Sequence, residues 1–217
     1  MTDFAARRRT MVDTQVRPSD VTKYPIIDAM LAVPRELFVP VGRREAAYIG
    51  ENLPIGPSRV ILEPRTLAKM LDALDIKDNE VVLDLGAGLG YGAAVTARLA
   101  GAVVAVEEDE AMAGETETAL AEVGADNVAV VVAPLTEGAP KHGPYDVILV
   151  EGAVERMPET LVAQLKDGGR IACLFLDGAL GVCRIGYRAD ARMTWRDSFH
   201  ASAPVLPGFE RHADFVF

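Results

Sequence analysis

The 217-residue sequence has few of the residues that metal sites, disulfides and membrane spans require. It contains two cysteines and three histidines. Cys173 and Cys183 have no Cys or His at metal-ligand spacing, so we expect buried free thiols and no metal site. No apolar run approaches the ~20 residues of a membrane span, and the N-terminus lacks the apolar core of a secretory signal. The sequence therefore predicts a cytoplasmic protein without a membrane partner.

Positive charge is also scarce. The chain has 22 Lys and Arg residues against 32 Asp and Glu residues, a formal net charge of -10. Proteins that bind nucleic acid usually present a basic surface to the phosphates, so we expect no nucleic-acid partner. Hydrophobic residues make up 50% of the sequence. At this length, the composition predicts a single domain spanning residues 1–217 with a sizeable core.

The most informative stretch is residues 80–91. A short apolar run, Val81–Leu83, precedes glycines at every second position, and a helical pattern follows over residues 93–100. This arrangement predicts a buried parallel strand that enters a helix, the first βα turn of a nucleotide-binding α/β fold. The dinucleotide fingerprint would require a third glycine where the chain has Tyr91. An NAD-dependent oxidoreductase is therefore a poor interpretation.

A second predicted strand, Val103–Val106, ends in acidic residues. An acid at this position can accept hydrogen bonds from both ribose hydroxyls of a nucleotide-containing cofactor, and Glu107 is the candidate. The alternation continues with helices predicted at 109–123 and 158–166. Further strands are predicted at 127–132, 144–150 and 169–175, with antiparallel strands after them and an apolar end at Phe215–Phe217. Glu151 follows the fourth strand at the edge where such sheets bind ligands, so it is a candidate lining residue.

The region before the glycine stretch has a different pattern. Residues 3–32 predict two helices separated near residues 17–20, and the prolines of residues 33–56 favour an irregular connecting segment. We therefore interpret residues 1–56 as an N-terminal helical, substrate-side segment. Residues 57–217 would then form a Rossmann-like body.

The pattern Asp84-x-Gly86-x-Gly88-x-Gly90 resembles the first motif of methyltransferases that use S-adenosylmethionine. The stretches 34–40 and 53–56, with other matches in register from about residue 11 to 171, resemble the protein-L-isoaspartate O-methyltransferases. This resemblance implies an α/β fold with a doubly wound, Rossmann-like sheet and an N-terminal helical extension. It also implies methylation of the free carboxylate of isoaspartyl residues in damaged proteins or peptides, with S-adenosylhomocysteine as product.

The resemblance further implies a set of site residues. The cofactor-binding residues would be Asp84, Gly86, Ala87, Gly88, Gly90, Glu107, Glu108, Pro134 and Leu135. The substrate-side residues would be Leu53, Pro54, Ile55 and Leu62. Asp84 would lie near the methionine end of the cofactor, where a carboxylate can pair with the ammonium group. The acceptor carboxylate, with a reference pKa of ~3.9, is already ionised at neutral pH, so no general base is required.

Three positions depart from the family pattern. Leu62 stands at the position of the active-site serine, Gly50 replaces an aspartate, and Pro134 aligns with the acid that contacts the adenine amino group. Each lost hydrogen bond costs about 0.5–1.5 kcal/mol. Two hypotheses therefore stay open, a carboxyl O-methyltransferase and a non-catalytic or repurposed binding module with the methyltransferase fold. No catalytic residue is assigned.

Overall fold

A computed structural model describes residues 3–178 and 180–211 of the chain. Within them, helices and strands alternate as a parallel α/β fold requires. The helices are α1 (Phe4–Met11), α2 (Tyr24–Ala32), α3 (Pro64–Leu74), α4 (Tyr91–Ala97), α5 (Glu110–Glu122) and α6 (Glu159–Val162). The strands are β1 (Leu53–Gly56), β2 (Arg59–Ile61), β3 (Val81–Leu85), β4 (Ala102–Glu107), β5 (Val128–Val132), β6 (Tyr145–Val154), β7 (Leu165–Asp177), β8 (Leu180–Ala189) and β9 (Arg192–His200).

Strands β3 to β9 form one sheet in the order β5-β4-β3-β6-β7-β8-β9. The first five strands in this order are parallel neighbours, and β8 and β9 extend the β7 edge in antiparallel register. Val82 and Leu83 point to opposite faces and belong to two separate apolar clusters, so both faces of the sheet are covered. The predicted Rossmann-like, doubly wound sheet is confirmed.

The predicted N-terminal helices are also present. The carboxylate of Asp3 caps α1 by accepting a hydrogen bond from the Ala6 N–H at 2.9 Å. A 3₁₀ turn at Arg17–Ser19 ends in Asp20, whose φ of 65° stops the helical path before α2 begins. Helix α2 contacts α4, so the N-terminal region packs on the same face of the sheet as the helix that follows the glycines.

The structure differs from the expected elements in three places. The connecting segment ends in a hairpin of β1 and β2, in which Leu53 pairs with Ile61 across a turn containing Ser58 at φ 52°. Helix α6 is shorter than predicted because β7 starts at Leu165, which pairs with Tyr145. Strand β6 continues to residue 154 and includes Glu151. The apolar end at 215–217 lies outside the described residues.

Cys173 and Cys183 are buried free thiols, as predicted. Among residues 3–178 and 180–211, no group of three or more His, Cys, Asp or Glu side chains is arranged to hold a metal ion. No helix in this part of the chain combines the length and the apolar composition that crossing a bilayer requires.

Candidate functional site

The order of the sheet reverses between β3 and β6. From β3 the chain continues to β4 and β5 on one side, and then returns to β6 on the other. In open α/β sheets, such a reversal leaves a ligand crevice outside the carboxyl ends of the central strands. Asp84 lies in β3, Glu107 ends β4, and Glu151 lies in β6. These three acids meet at one edge of the sheet and define the candidate site.

A glycine turn joins β3 to α4. Gly86, Gly88 and Gly90 have φ values of 75°, 59° and 90°, which side chains rarely adopt. The N–H groups of Gly86 and Ala87 both donate to the Val106 carbonyl, at 3.0 and 3.3 Å, and so tie the turn to the end of β4. Because Gly86 and Gly88 carry no side chain, a ligand can approach the backbone of the turn closely there.

Glu107 is fully buried and receives hydrogen bonds from two directions. The N–H groups of Gly88, Glu108 and Asp109 donate to its carboxylate at 2.9, 3.0 and 3.2 Å. From the opposite side, the Arg59 guanidinium donates through Nη1 at 2.9 Å and Nη2 at 2.5 Å. Arg59 is itself only 6% exposed, so this is a buried, bidentate ion pair.

Asp84 and Glu151 form a second buried acidic group. No N–H or O–H donor of the described residues reaches either oxygen of Asp84 or Oε1 of Glu151. The two carboxyls lie close enough together that each affects the pKa of the other. Burial raises the pKa of Asp84 to about 7. Burial and the neighbouring Asp84 charge raise the pKa of Glu151 well above its usual range.

Arg35 links the N-terminal region to this site. Its buried guanidinium donates to the carbonyls of Ala47 and Leu62 at 2.7 and 2.9 Å, and lies over the Tyr91 ring at 4.6 Å from the centroid. Burial lowers the pKa of Arg35, and the nearby Glu151 opposes that shift. Since Arg35 bonds the Leu62 backbone and contacts the first residue of α4, it positions β2 against the glycine turn.

The chain returns to the site after β9. Residues 201–209, here called the closing segment, run beside the end of β6, where the Ala153 N–H donates to Pro204 and the Leu206 N–H donates to Ala153 at 3.0 and 2.9 Å. The Leu206 side chain lies against two glycines. A Cβ atom at Gly152 would meet its Cγ at 2.5 Å, and one at Gly86 would meet its Cδ1 at 3.3 Å. The closing segment thus covers the crevice.

The structure brings only part of the predicted site together. The residues near the crevice are Asp84, Gly86, Ala87, Gly88, Glu107 and Ile55. Gly90 caps α4 and contacts Thr116. Glu108, Pro134 and Pro54 are exposed, whereas Leu135, Leu53 and Leu62 are buried in apolar clusters. Ala133 directly follows β5, and its N–H donates to the Glu107 carbonyl at 3.2 Å. Pro134 is the next residue.

Sequence reasoning missed Arg59 and Leu206. Glu63, which follows the hairpin, accepts a hydrogen bond from Thr66 at 2.7 Å and pairs with Arg65 at 3.8 Å. The partner of Arg59 is Glu107, 48 residues away, and no local spacing predicts such a pair. An arginine directly before the apolar run 60–62 was the only signal.

The residues of the site fit a nucleoside cofactor with a cationic amino-acid end. In this structure, side chains from the hairpin and the closing segment cover them. The glycine turn offers close backbone approach, Glu107 stands where ribose hydroxyls are bound, and the oxygens of Asp84 lack an N–H or O–H donor. Ile55 and Leu206 lie on the glycines, and Arg59 lies on Glu107.

Comparisons with known proteins agree with this geometry. The model of the protein-L-isoaspartate(D-aspartate) O-methyltransferase family matches residues 6–175. A protein-L-isoaspartate O-methyltransferase of Rhodopseudomonas palustris is 41% identical over 170 residues, which are 78% of this chain and 69% of that protein. One of Methanoregula boonei is 42% identical over 164 residues, 76% of each protein.

Two solved structures share the fold. A protein-L-isoaspartate O-methyltransferase superposes with a TM-score of 0.80 at 24% identity, covering 93% of this chain and 66% of that one. A Plasmodium falciparum structure assigned to the same family, in complex with S-adenosyl-L-homocysteine, gives 0.78 at 17% identity and covers 95% and 99%. The chain therefore belongs to the protein-L-isoaspartate(D-aspartate) O-methyltransferase family, a family of S-adenosylmethionine-dependent methyltransferases.

Proposed function

We propose that the protein transfers a methyl group from S-adenosylmethionine to the free carboxylate of isoaspartyl residues in damaged proteins or peptides. The observation that carries this proposal is the family match, which runs from residue 6 to 175 and includes the N-terminal segment, the glycine turn and Glu107. A match to the nucleotide-binding turn alone would not distinguish among methyltransferases with different acceptors. The N-terminal segment lies outside that turn and also matches this family, so it supports the isoaspartyl acceptor class.

The cofactor supplies an electrophilic methyl group on a sulfonium. In our proposal Glu107 accepts hydrogen bonds from the ribose hydroxyls, and the backbone of residues 86–88 lies against the nucleoside. Asp84 accepts hydrogen bonds from the ammonium group of the methionine end. Leu135 and Ala87 bury apolar surface around the base, and Glu108 borders the ribose. Pro134 has neither an acid nor an N–H to offer, so adenine recognition rests on packing.

The acceptor side is apolar. Leu53, Ile55 and Leu62 exclude water from the reacting carboxylate, and Pro54 presents an exposed edge to the protein substrate. An ionised carboxylate needs no general base, so catalysis rests on alignment of the acceptor oxygen, methyl carbon and sulfur. We propose no catalytic residue. A cytoplasmic location completes the proposal, because the buried free thiols of Cys173 and Cys183 suit a reducing compartment.

The experiment compares two peptides of one sequence, with either an isoaspartyl or an ordinary aspartyl residue. We expect the purified protein and methyl-labelled S-adenosylmethionine to label only the isoaspartyl peptide. Glu107→Gln, which keeps the size of the side chain and loses its charge, should weaken S-adenosylhomocysteine binding. Equal labelling of both peptides, or none by a folded protein that binds S-adenosylhomocysteine, would remove the isoaspartyl assignment.

A second candidate function is a binding module that has lost turnover. Leu62 replaces the family's serine hydroxyl and is fully buried, and Pro134 replaces its adenine-contacting acid. This candidate predicts S-adenosylhomocysteine binding without methyl transfer to any isoaspartyl peptide. The same labelling experiment, combined with a binding titration, separates the two functions.

A further inference from the structure

We propose that Arg59 is an affinity-determining residue that competes with the cofactor for Glu107, so that a ligand binds only after the guanidinium leaves the carboxylate. The inference rests on the proposed function, because it concerns the same cofactor site. It adds Arg59 to that site. The other residues of the site would favour cofactor binding, whereas Arg59 opposes it.

The hydrogen-bonding capacity of Glu107 carries the argument. A carboxylate has about four acceptor positions on its two oxygens. Five N–H groups already reach them, two from Arg59 and one each from Gly88, Glu108 and Asp109. The three backbone donors belong to the folded turn and cannot leave. The carboxylate is therefore saturated, and two ribose hydroxyls can bond to Glu107 only in place of the two N–H groups of Arg59, which keeps the number of donors at five.

The position of Arg59 adds a steric reason. Its Nη2 atom would lie 3.5 Å from a Cβ atom at Gly86, so the guanidinium fills space beside the backbone that glycine leaves open. Ile55, from the same hairpin, would lie 2.7 Å from a Cβ atom at Gly88. The hairpin therefore places two side chains over the glycine turn, where a nucleoside would otherwise pack.

Charge explains why Arg59 stays in this position when no ligand is present. Its positive charge is attracted not only by Glu107 but also by Asp84 and Glu151. Removing it would take a nearby cation from Glu107 and Asp84, and an uncompensated buried charge is strongly unfavourable. A ligand that brings its own positive charge to Asp84 offsets part of this cost, whereas a neutral nucleoside does not.

The fold gives Arg59 freedom to leave. Strands β1 and β2 form a separate two-stranded sheet that shares no ladder hydrogen bonds with the seven-stranded sheet. Arg59 is the first residue of β2 and follows the turn at Ser58. Its side chain can therefore turn out of the crevice without breaking any backbone hydrogen bond of the seven-stranded sheet.

The test is a calorimetric titration of wild type, Arg59→Gln and Arg59→Lys with S-adenosylhomocysteine. We expect Arg59→Gln to lower Kd at least tenfold, equivalent to 1.4 kcal/mol. Arg59→Lys should fall between the two, because an ammonium keeps the charge but cannot form the bidentate pair. The control is Arg65→Gln, an exposed arginine near the same hairpin, which should change Kd less than twofold.

Thermal unfolding without ligand shows which variants are folded. If Arg59→Gln does not fold, Arg59→Lys is used for the same test. Equal or weaker binding by a folded Arg59 variant overturns this inference, even if the wild type methylates isoaspartyl peptides. Tighter binding by Arg59→Gln without methyl transfer supports the inference and counts against the proposed function. No binding by any folded variant overturns both, since removing Arg59 then opens no cofactor site.

Discussion

The buried pair of Asp84 and Glu151 predicts that the protein loses stability as the pH rises through neutrality. Burial raises the pKa of Asp84 from 3.8 to about 7, with the Glu151 hydrogen bond and Arg59 opposing and Glu107 adding to the shift. The pKa of Glu151 moves in the same direction, again mainly because of burial. The folded protein therefore retains protons that the unfolded chain releases.

The sign and size follow from proton linkage. A carboxyl whose pKa is higher in the folded state contributes stability that is fully present below its unfolded pKa, near pH 4. That contribution disappears as the pH rises through the folded pKa, near pH 7 for Asp84. At about 1.36 kcal/mol per pH unit, the Asp84 shift corresponds to roughly 4 kcal/mol lost between pH 4 and pH 8. Asp75, with a pKa lowered to about 2, titrates below this window.

The assay is denaturant unfolding of wild type and Asp84→Asn at pH 5, 6, 7 and 8. The free energy of unfolding of wild type should fall by several kcal/mol over this range, and that of Asp84→Asn by at least ~2 kcal/mol less. Asp28→Asn, at an exposed carboxylate 3.6 Å from Arg98, serves as the control and should keep the wild-type slope. A wild-type slope in Asp84→Asn would refute the raised pKa of Asp84 in the folded protein.

Two further predictions concern packing at the site. Gly152→Ala places a Cβ atom 2.5 Å from Leu206, so we expect it to cost about 1–3 kcal/mol in the free energy of unfolding, with recovery in the double variant with Leu206→Ala. Thermal unfolding measures both, and a neutral Gly152→Ala would show that the closing segment does not rest on this glycine. Leu62→Ser should destabilise the protein by roughly 2–5 kcal/mol and should not increase methyl transfer above the wild-type rate, because it leaves a cavity at a fully buried position. Leu62→Ala is its control, and a gain of activity specific to the serine variant would contradict the prediction.

The sequence predicted those parts of the fold that depend on local patterns. The apolar run Val81–Leu83 and the glycines that follow are both local signals, and the structure has the strand and turn they predicted. The hairpin of β1 and β2 was missed because the prolines of residues 33–56 suggested an irregular segment. The end of α6 was placed too late because the pairing of Leu165 with Tyr145, which starts β7, is a long-range contact.

The candidate site divides in the same way. Glu107 was a candidate because it is an acid at the end of the second predicted strand, and Asp84 because it belongs to the motif that resembles those of methyltransferases. Arg59 and Leu206 were missed because they reach the site from the hairpin and from the closing segment. No local spacing of residues in the sequence indicates either contact. Their contacts arise from the packing of the whole chain, as the 48 residues between Arg59 and Glu107 illustrate.

The most direct test of this account is a crystal structure of the protein grown with S-adenosylhomocysteine. We expect the ribose hydroxyls to bind Glu107, the ammonium group to lie at Asp84, and the Arg59 guanidinium to have left the carboxylate. A ligand bound elsewhere, or one bound in the crevice while Arg59 still holds Glu107, would contradict it.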